Sequence, residues 1–305
     1  MDTIGTGAGS AASGTGGAAG TGGAAGTGGA AGTGGAGGAG AGDASLYFVG
    51  TATTVIRCGG FTVLTDPNFL HKGQRAYLGY GLSSARLTEP ALRVDQLPEL
   101  DAVVLSHAHG DHWDRVARRG LDHDLPVVTT PHASKRLQLQ GFPRATGLRT
   151  WGEHLLVKGD RQLKVTAVPG RHAPGPLRKV LPPVMGSVLE FGPLGGPADI
   201  RVYLSGDTLL YDAIAEIPRR FPQLDAGVVH LGGTTLPGGL VVTLDGEKGA
   251  DLVKLVDPAV VVPVHIDDYS LFKSPLSAFT AAMAARGLAD RVRTVARGQT
   301  VSLRP

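Results

Sequence analysis

From Leu46 the chain takes on a strand-like pattern of apolar and polar positions. Leu46–Gly50, Thr53–Cys58 and Phe61–Thr65 read as short strands joined by tight turns, and Asp66-Pro67 closes the third. Residues 68–90 read as a long loop carrying His71, Tyr77 and Tyr80. Asp101–Ser106 (Asp-Ala-Val-Val-Leu-Ser) is a buried-strand pattern, with a helix expected from Asp114. Pro126–Thr130 reads as a strand and Pro131 opens a helix, because its fixed φ suits a first turn. Further on, Leu163–Pro169 reads as a strand that runs into a loop through His172, and Ser187–Phe191 and Ile200–Ser205 as a hairpin pair. Helices near Tyr211–Phe221 and Glu247–Val256 precede strands at Ala226–Leu231 and Ala259–His265. A helix over Pro275–Arg286 and a strand at Thr300–Leu303 complete the pattern. Many strands with helices on both sides predict an α/β fold, with sheets sandwiched between helical layers.

The first 42 residues break this pattern. They are almost entirely Gly, Ala, Thr and Ser, and contain a Gly-Thr-Gly-Gly-Ala-Ala repeat from Gly14 to about Gly37. Glycine at every third position is the collagen period, but a collagen helix needs abundant proline and the repeat has none. A glycine-rich segment with so little apolar surface cannot offset its ordering entropy, so residues 1–42 are expected to be a disordered tail. Residues 43–305 are expected to form one domain.

The 305 residues carry a net charge of +3, with acidic and basic positions interspersed and no extended run of Lys or Arg. The balance gives no reason to expect a nucleic-acid partner. Cys58 is the one cysteine, which excludes an intrachain disulfide. The Met-Asp start lacks a signal-peptide pattern, and no apolar run reaches membrane-span length, so a soluble, cytoplasmic protein is expected.

The strongest chemical signal is Ser106-His107-Ala108-His109-Gly110-Asp111-His112, directly after a buried-strand pattern. In an extended segment residues i and i+2 face the same way, so His107 and His109 can grip one ion together. Gly110 permits a sharp change of direction, after which Asp111 and His112 can turn towards a second ion. Imidazole and carboxylate donors suit zinc, and also manganese or iron. Packing alone does not account for three histidines and an aspartate so close together at a strand end.

The His-x-His-x-Asp-His segment resembles the signature of the metallo-β-lactamase superfamily. The resemblance continues through Gly170-Arg171-His172, Ser205-Gly206-Asp207-Thr208 and Val262-Pro263-Val264-His265, each after a strand pattern, and spans residues 46–303. It implies a four-layer αββα sandwich holding two divalent metal ions, zinc by preference. His107, His109 and His172 would hold the first ion. Asp111, His112 and His265 would hold the second, and Asp207 would bridge them. It also implies hydrolysis by a hydroxide shared between two cations about 3.5–4 Å apart. Asp111 is a candidate to orient that nucleophile. His230, ending Val229-His230-Leu231, is a candidate catalytic residue, either at the site rim or behind the ligands. Asp66 is expected to hydrogen-bond a ligand histidine. His123, His132 and His154 read as surface or packing residues.

Within the superfamily, Thr65-Asp66-Pro67 and Val-Pro-Val-His265-Ile-Asp-Asp-Tyr look like the branch of L-ascorbate-6-phosphate lactonase and N-acyl-phosphatidylethanolamine phospholipase D. That likeness implies a small or lipid-like anionic substrate with a phosphodiester or a lactone or ester bond. The apolar stretch Pro174–Met185, with two basic residues, either covers such a substrate or packs. Reductases of this fold carry an acidic residue where His109 stands, which argues against that class. The alternatives are an iron-dependent oxidoreductase of the sulfur dioxygenase type and a non-catalytic metal-binding protein.

Overall fold

The computed structural model describes residues 44–305 apart from 80, 174, 176–180 and 237. The expectations for residues 1–42, for Tyr80 and for most of 174–180 lie outside the described residues. In chain order the first half forms β1 (Ala44–Gly50), β2 (Thr53–Cys58), β3 (Phe61–Thr65), β4 (Arg75–Gly79), β5 (Leu82–Ala85), β6 (Ala102–Val104), α1 (Arg115–Gly120), β7 (Val127–Thr129), α2 (Pro131–Leu139), β8 (Ala145–Gly147), β9 (Glu153–Lys158) and β10 (Arg161–Val168). The second half forms β11 (Gly186–Pro193), β12 (Ile200–Leu204), α3 (Glu216–Arg220), β13 (Ala226–His230), β14 (Thr235–Leu236), β15 (Leu240–Val241), α4 (Gly246–Val256), β16 (Val260–Val264), α5 (Leu276–Ala285) and β17 (Thr300–Ser302).

Two sheets carry the fold. One runs β17-β1-β2-β3-β6-β7-β8, and the other β16-β13-β12-β11-β10-β9. The inner strands alternate their side chains between two apolar environments, as the period of two requires, while the edge strands β9 and β17 are largely exposed. Ile56, Val63 and Val104 of the first sheet meet Val165, Leu189, Val202, Val228 and Val262 of the second in the central core. Their neighbours Val55, Leu64 and Val103 face outward onto Ala117 of α1 and Ala133 and Leu137 of α2. On the far side Tyr203, Val229 and Val261 face Leu252 and Val253 of α4 and Phe279 and Met283 of α5. The result is the four-layer αββα sandwich. Because strands such as β6 and β16 are buried on both faces, they read as valine-rich runs without apolar–polar alternation. Pro263 is tolerated in β16 because β16 is an edge strand, where a missing N–H donor costs no ladder bond on the open side.

Helix starts follow local capping chemistry. Asp114 accepts from the N–H groups of Val116 and Ala117 at the start of α1, and Thr130 accepts from Ala133 N–H at the start of α2. The expected helix at Tyr211–Phe221 is a 3-10 turn over Asp212–Ala215 followed by the five-residue α3.

The segment expected as a long loop differs. Within 68–90 the chain forms the antiparallel hairpin β4–β5, which docks through Ala76 and Leu78 onto Leu70 and Tyr269. A two-stranded ribbon is marginal by itself, so tertiary packing makes this hairpin, and local sequence does not reveal it. The short β8, β9, β14 and β15 were not anticipated either. Among the described residues no helix is long and apolar enough to cross a membrane.

Candidate metal centre

The candidate residues leave the C-terminal ends of strands that point the same way. β12, β13 and β16 are mutually parallel, and β10 shares their direction because β11 runs antiparallel to both β10 and β12. In the other sheet β3 and β6 are parallel. Asp66 follows β3, Ser106 to His112 follow β6, His172 follows β10, Asp207 follows β12, His230 ends β13 and His265 follows β16. Segments up to 199 residues apart, from Asp66 to His265, thus meet at one edge of the sandwich.

All seven predicted metal ligands are buried. His109 Nδ1 lies 2.9 Å from His107 Nε2 and 3.1 Å from His172 Nε2. Donors about 2.1 Å from a tetrahedral ion lie roughly 3.4 Å from each other, so these three nitrogens stand close to a zinc-like spacing. In the second group, His112 Nε2 is 3.2 Å from Asp207 Oδ2 and 3.8 Å from Asp111 Oδ2. His265 Nε2 is 3.5 Å from Asp111 Oδ2 and 3.6 Å from Asp207 Oδ1. Asp207 belongs to this second group, with donor atoms within 4.8 Å of one another.

The donor set fits cations. His172 Nδ1 is 3.1 Å from the Val242 carbonyl and His265 Nδ1 is 3.0 Å from that of Leu231. A carbonyl can only accept, so each Nδ1 carries a hydrogen and each ring turns its Nε2 into the centre. Asp111 Oδ1, His112 Nε2, Asp207 Oδ1 and His265 Nε2 are buried without a hydrogen-bond partner among the described residues. Leaving so many polar atoms unmatched in one place is costly unless an ion completes them. Burial, reinforced by the neighbouring imidazoles, holds His107 well below the usual histidine range and His109 down at about 3. Burial opposes ionisation of Asp207, yet His265 and His112 keep its carboxyl well below the usual range. Burial opposes the charge of His112 and His265, but Asp207 and Asp111 raise both, so without metal they pair as cations with these carboxylates, and a bound cation would release those protons.

A layer of contacts behind these residues fixes their orientation. Asp66 Oδ1 accepts from Ser106 N–H at 2.7 Å, while Oδ2 lies 3.2 Å from His112 Nδ1 and 3.2 Å from His230 Nε2. Burial disfavours its charge, but the two histidines outweigh that and bring Asp66 down to about 2. The expected contact between Asp66 and one of the candidate ligand histidines is therefore present, to His112. His230 is not at the rim: it is 2% exposed, its Nδ1 lies 3.2 Å from Ser205 Oγ, and its ring stacks on that of His112 with centroids 6.0 Å apart. The strand register that carries His230 inward places it behind the cluster, out of reach of a substrate. His71 pairs with Glu89 on the surface at 2.8 Å, Tyr77 is 55% exposed, and His123 lies against Phe142.

Several supporting residues carried no sequence signal. Asn68 Nδ2 donates to the Gly110 carbonyl at 2.9 Å, and Tyr269 donates to Asn68 Oδ1 at 3.0 Å. Arg86, 1% exposed, donates to the Asn68 carbonyl at 2.9 Å. Asp268 Oδ2 accepts from Thr51 N–H at 2.7 Å, and the Thr51 carbonyl accepts from His265 N–H at 2.7 Å. This network holds the backbone of the His-Gly-Asp-His loop and of His265, whose φ is 61°. Gly110 is needed for room rather than for a turn: a Cβ there would lie 2.6 Å from the Tyr77 backbone nitrogen. Gly206 has φ +59°, and a Cβ there would meet the Met185 carbonyl at 2.7 Å.

A narrow cavity of about 20 Å³ opens onto His109, Asp111, His172 and Asp207. A space of that size holds about one water molecule.

A family model described as a beta-lactamase superfamily domain matches residues 62–266. The chain belongs to the metallo-β-lactamase superfamily. Among relatives in this superfamily, a protein of Anaeromyxobacter sp. (strain K) named UPF0173 metal-dependent hydrolase is 27% identical over 270 residues, 86% of this chain and 87% of its own. The structure of an isothiocyanate hydrolase from Delia radicum gut bacteria superposes with a TM-score of 0.71 at 23% identity, over 85% of this chain and 98% of that one. CmlA, a diiron β-hydroxylase from Streptomyces venezuelae, superposes at 0.60 with 15% identity, over 85% of this chain and 54% of that one. At these identities the two structures show that the metallo-β-lactamase fold is shared, and nothing more.

Proposed function

We propose that this protein is a metal-dependent hydrolase that holds two divalent cations, zinc by preference, and cleaves a lactone, ester or phosphodiester bond. The observation that carries this reading is the set of four buried, unpartnered atoms on Asp111, His112, Asp207 and His265, gathered at one sheet edge beside the His107, His109 and His172 nitrogens. His107, His109 and His172 form one donor group, and Asp111, His112, Asp207 and His265 the other. Manganese and iron satisfy the same donors. The relatives named metal-dependent hydrolases support the reaction class.

When bound, such cations supply Lewis acidity, lowering the pKa of water and offsetting charge that develops on substrate oxygens. The chain supplies placement. Asp111 lines the cavity, and its unpartnered Oδ1 is available to orient a water and accept its proton as that water adds to the electrophile. Asp66 fixes the His112 ring, and His230 fixes Asp66, so both are positioning residues. The aliphatic mouth excludes bulk water from the reacting atoms.

The test is hydrolysis by the metal-loaded protein across phosphodiesters, lactones, thioesters and β-lactams, beside Asp111→Asn. Turnover of one class, reduced at least about a hundredfold in the variant, supports the reading. Metal-dependent oxygen consumption without hydrolysis would replace it with oxidoreductase chemistry. A fully loaded protein inert in both assays would leave a non-catalytic metal-binding protein.

A further inference from the structure

A separate cavity of about 210 Å³ adjoins the His-Gly-Asp-His loop at Gly110, with room for several water molecules. Four arginines line it: Arg75 from β4, Arg115 and Arg118 from α1, and Arg136 from α2. Elsewhere Arg86, Arg161, Arg201 and Arg286 each meet a carboxylate. None of the four lining arginines does so among the described residues. Asp114, the one carboxylate among the described lining residues, is fully engaged. Its Oδ1 accepts from Val116 and Ala117 N–H, and its Oδ2 from Phe69 N–H, Leu70 N–H and Asn68 Nδ2. Residues 80, 174, 176–180 and 237, outside the described set, include no Asp or Glu, and Arg178 and Lys179 among them are cationic. Residues 1–43 hold two acidic side chains, Asp2 and Asp43.

Neutral groups hold two of these arginines in place. Arg75 Nε donates to Ser83 Oγ at 2.8 Å and its Nη2 to the Ser83 carbonyl at 2.7 Å, and Arg136 Nη1 donates to the Ala108 carbonyl at 3.3 Å. Arg115 Nη1 reaches only the Arg75 carbonyl, at 3.5 Å, and the half-buried Arg118 side chain has no partner among the described residues. Four like charges gathered without a counter-charge repel one another, and an anion in the cavity would remove that cost. Planar guanidinium forks match the oxygens of a phosphoryl group two at a time. The two divalent cations proposed at the donor cluster carry more charge than the carboxylates of Asp111 and Asp207, so they add to the positive field. A groove of about 390 Å³ lined by Ala108, His109 and His132 shares Tyr77 and Arg136 with this cavity, which sets the arginines beside a candidate metal ligand.

We propose that this cavity is an oxyanion site that takes a phosphoryl group, either free phosphate or the dianionic end of a phosphate monoester. Arg115 and Arg118 are its principal donors, because their forks are the least engaged, and Arg75 and Arg136 flank them. The site stands on its own charges and does not depend on the hydrolase reading.

The experiment titrates inorganic phosphate calorimetrically into the zinc-loaded full chain. Any phosphate that binds the cations is common to every variant, so the difference between variants reads the arginine site. Arg118→Gln should weaken that binding about three- to tenfold, and Arg115→Gln combined with Arg118→Gln at least about tenfold. Arg119→Gln removes the same charge from the same helix outside the cavity and should match the wild type. Without phosphate the double variant should melt at or above the wild-type temperature, because mutual repulsion has been relieved. Identical titrations of wild type and double variant overturn the site. An equal loss in Arg119→Gln also overturns it, by reducing the effect to net charge.

Turnover then separates the two sources of the phosphoryl group, on the substrate class that the hydrolysis screen identifies. If the substrate carries it, Arg118→Gln raises KM for the phosphorylated member of that class and leaves the unphosphorylated member unchanged. If phosphate acts as a free effector, it alters wild-type turnover of the unphosphorylated member, and Arg118→Gln abolishes the response. A protein inert to the whole screen loses the hydrolase reading, while the calorimetric difference still decides the arginine site.

Discussion

Asp66 and His230 are 164 residues apart in sequence, yet Asp66 Oδ2 and His230 Nε2 lie 3.2 Å apart behind His112. The same carboxylate oxygen lies 3.2 Å from His112 Nδ1. One buried aspartate therefore governs the tautomer and tilt of a candidate ligand and is itself held by a second histidine. Asp66→Asn should lower metal affinity about 10–100-fold while leaving the seven candidate ligands in place. Competition of the purified variant against a fluorescent chelator measures it, and wild-type affinity would show that His112 is oriented by something else.

Removal of metal should destabilise the protein strongly, because the clustered donors exist only in the folded chain, so the binding free energy of the cations is folding free energy. With free metal about a thousandfold above its Kd, binding contributes about 4 kcal/mol, or roughly 10 °C in Tm for a chain of this size. Differential scanning fluorimetry with and without a chelator reads the shift. An identical Tm in both would mean that the donor cluster takes no metal.

Gly110→Ala should damage the site through the neighbouring hairpin. A Cβ at position 110 would sit 2.6 Å from the nitrogen and 2.7 Å from the oxygen of Tyr77, which are backbone atoms that cannot swing aside. Overpacking of this kind costs about 1–3 kcal/mol and should displace β4–β5 from the metal edge. Urea unfolding gives the cost, and protease cutting within residues 75–85 should speed up. A variant as stable and as resistant as the wild type contradicts the close approach.

Cys58 should be inert in the folded protein. Burial pushes its thiol up to about 12, so at pH 8 only about one thiol in ten thousand is ionised, and the thiolate is the reactive species. An aromatic disulfide reagent should release no colour from native protein and one equivalent in guanidinium. Because a thiol with a raised pKa gains reactivity only as pH climbs, the native reaction should remain negligible throughout the neutral range. Rapid native labelling would place Cys58 at the surface.

What the sequence determined by itself is what local order can encode. Valine-rich runs such as Val260–Val264 specify strands buried on both faces, and caps such as Asp114 and Thr130 specify where helices begin. Four of the seven candidate ligands sit within His107–His112, where their spacing singled them out, whereas His172, Asp207 and His265 were named through the resemblance to the superfamily, which their order and strand-end positions carry. Tertiary structure alone decided the rest. Asn68, Arg86, Asp268 and Tyr269 support the centre from scattered positions, and no local pattern joins residues whose only link is a buried hydrogen bond. The β4–β5 hairpin exists because Leu70 and Tyr269 give it an apolar surface to dock on, and from there it carries Leu78 and Leu82 over the cluster. His230 could equally have reached the rim by its sequence. Its strand register turned it inward to Asp66, because in a sheet the face a side chain takes is set by pairing with the neighbouring strands.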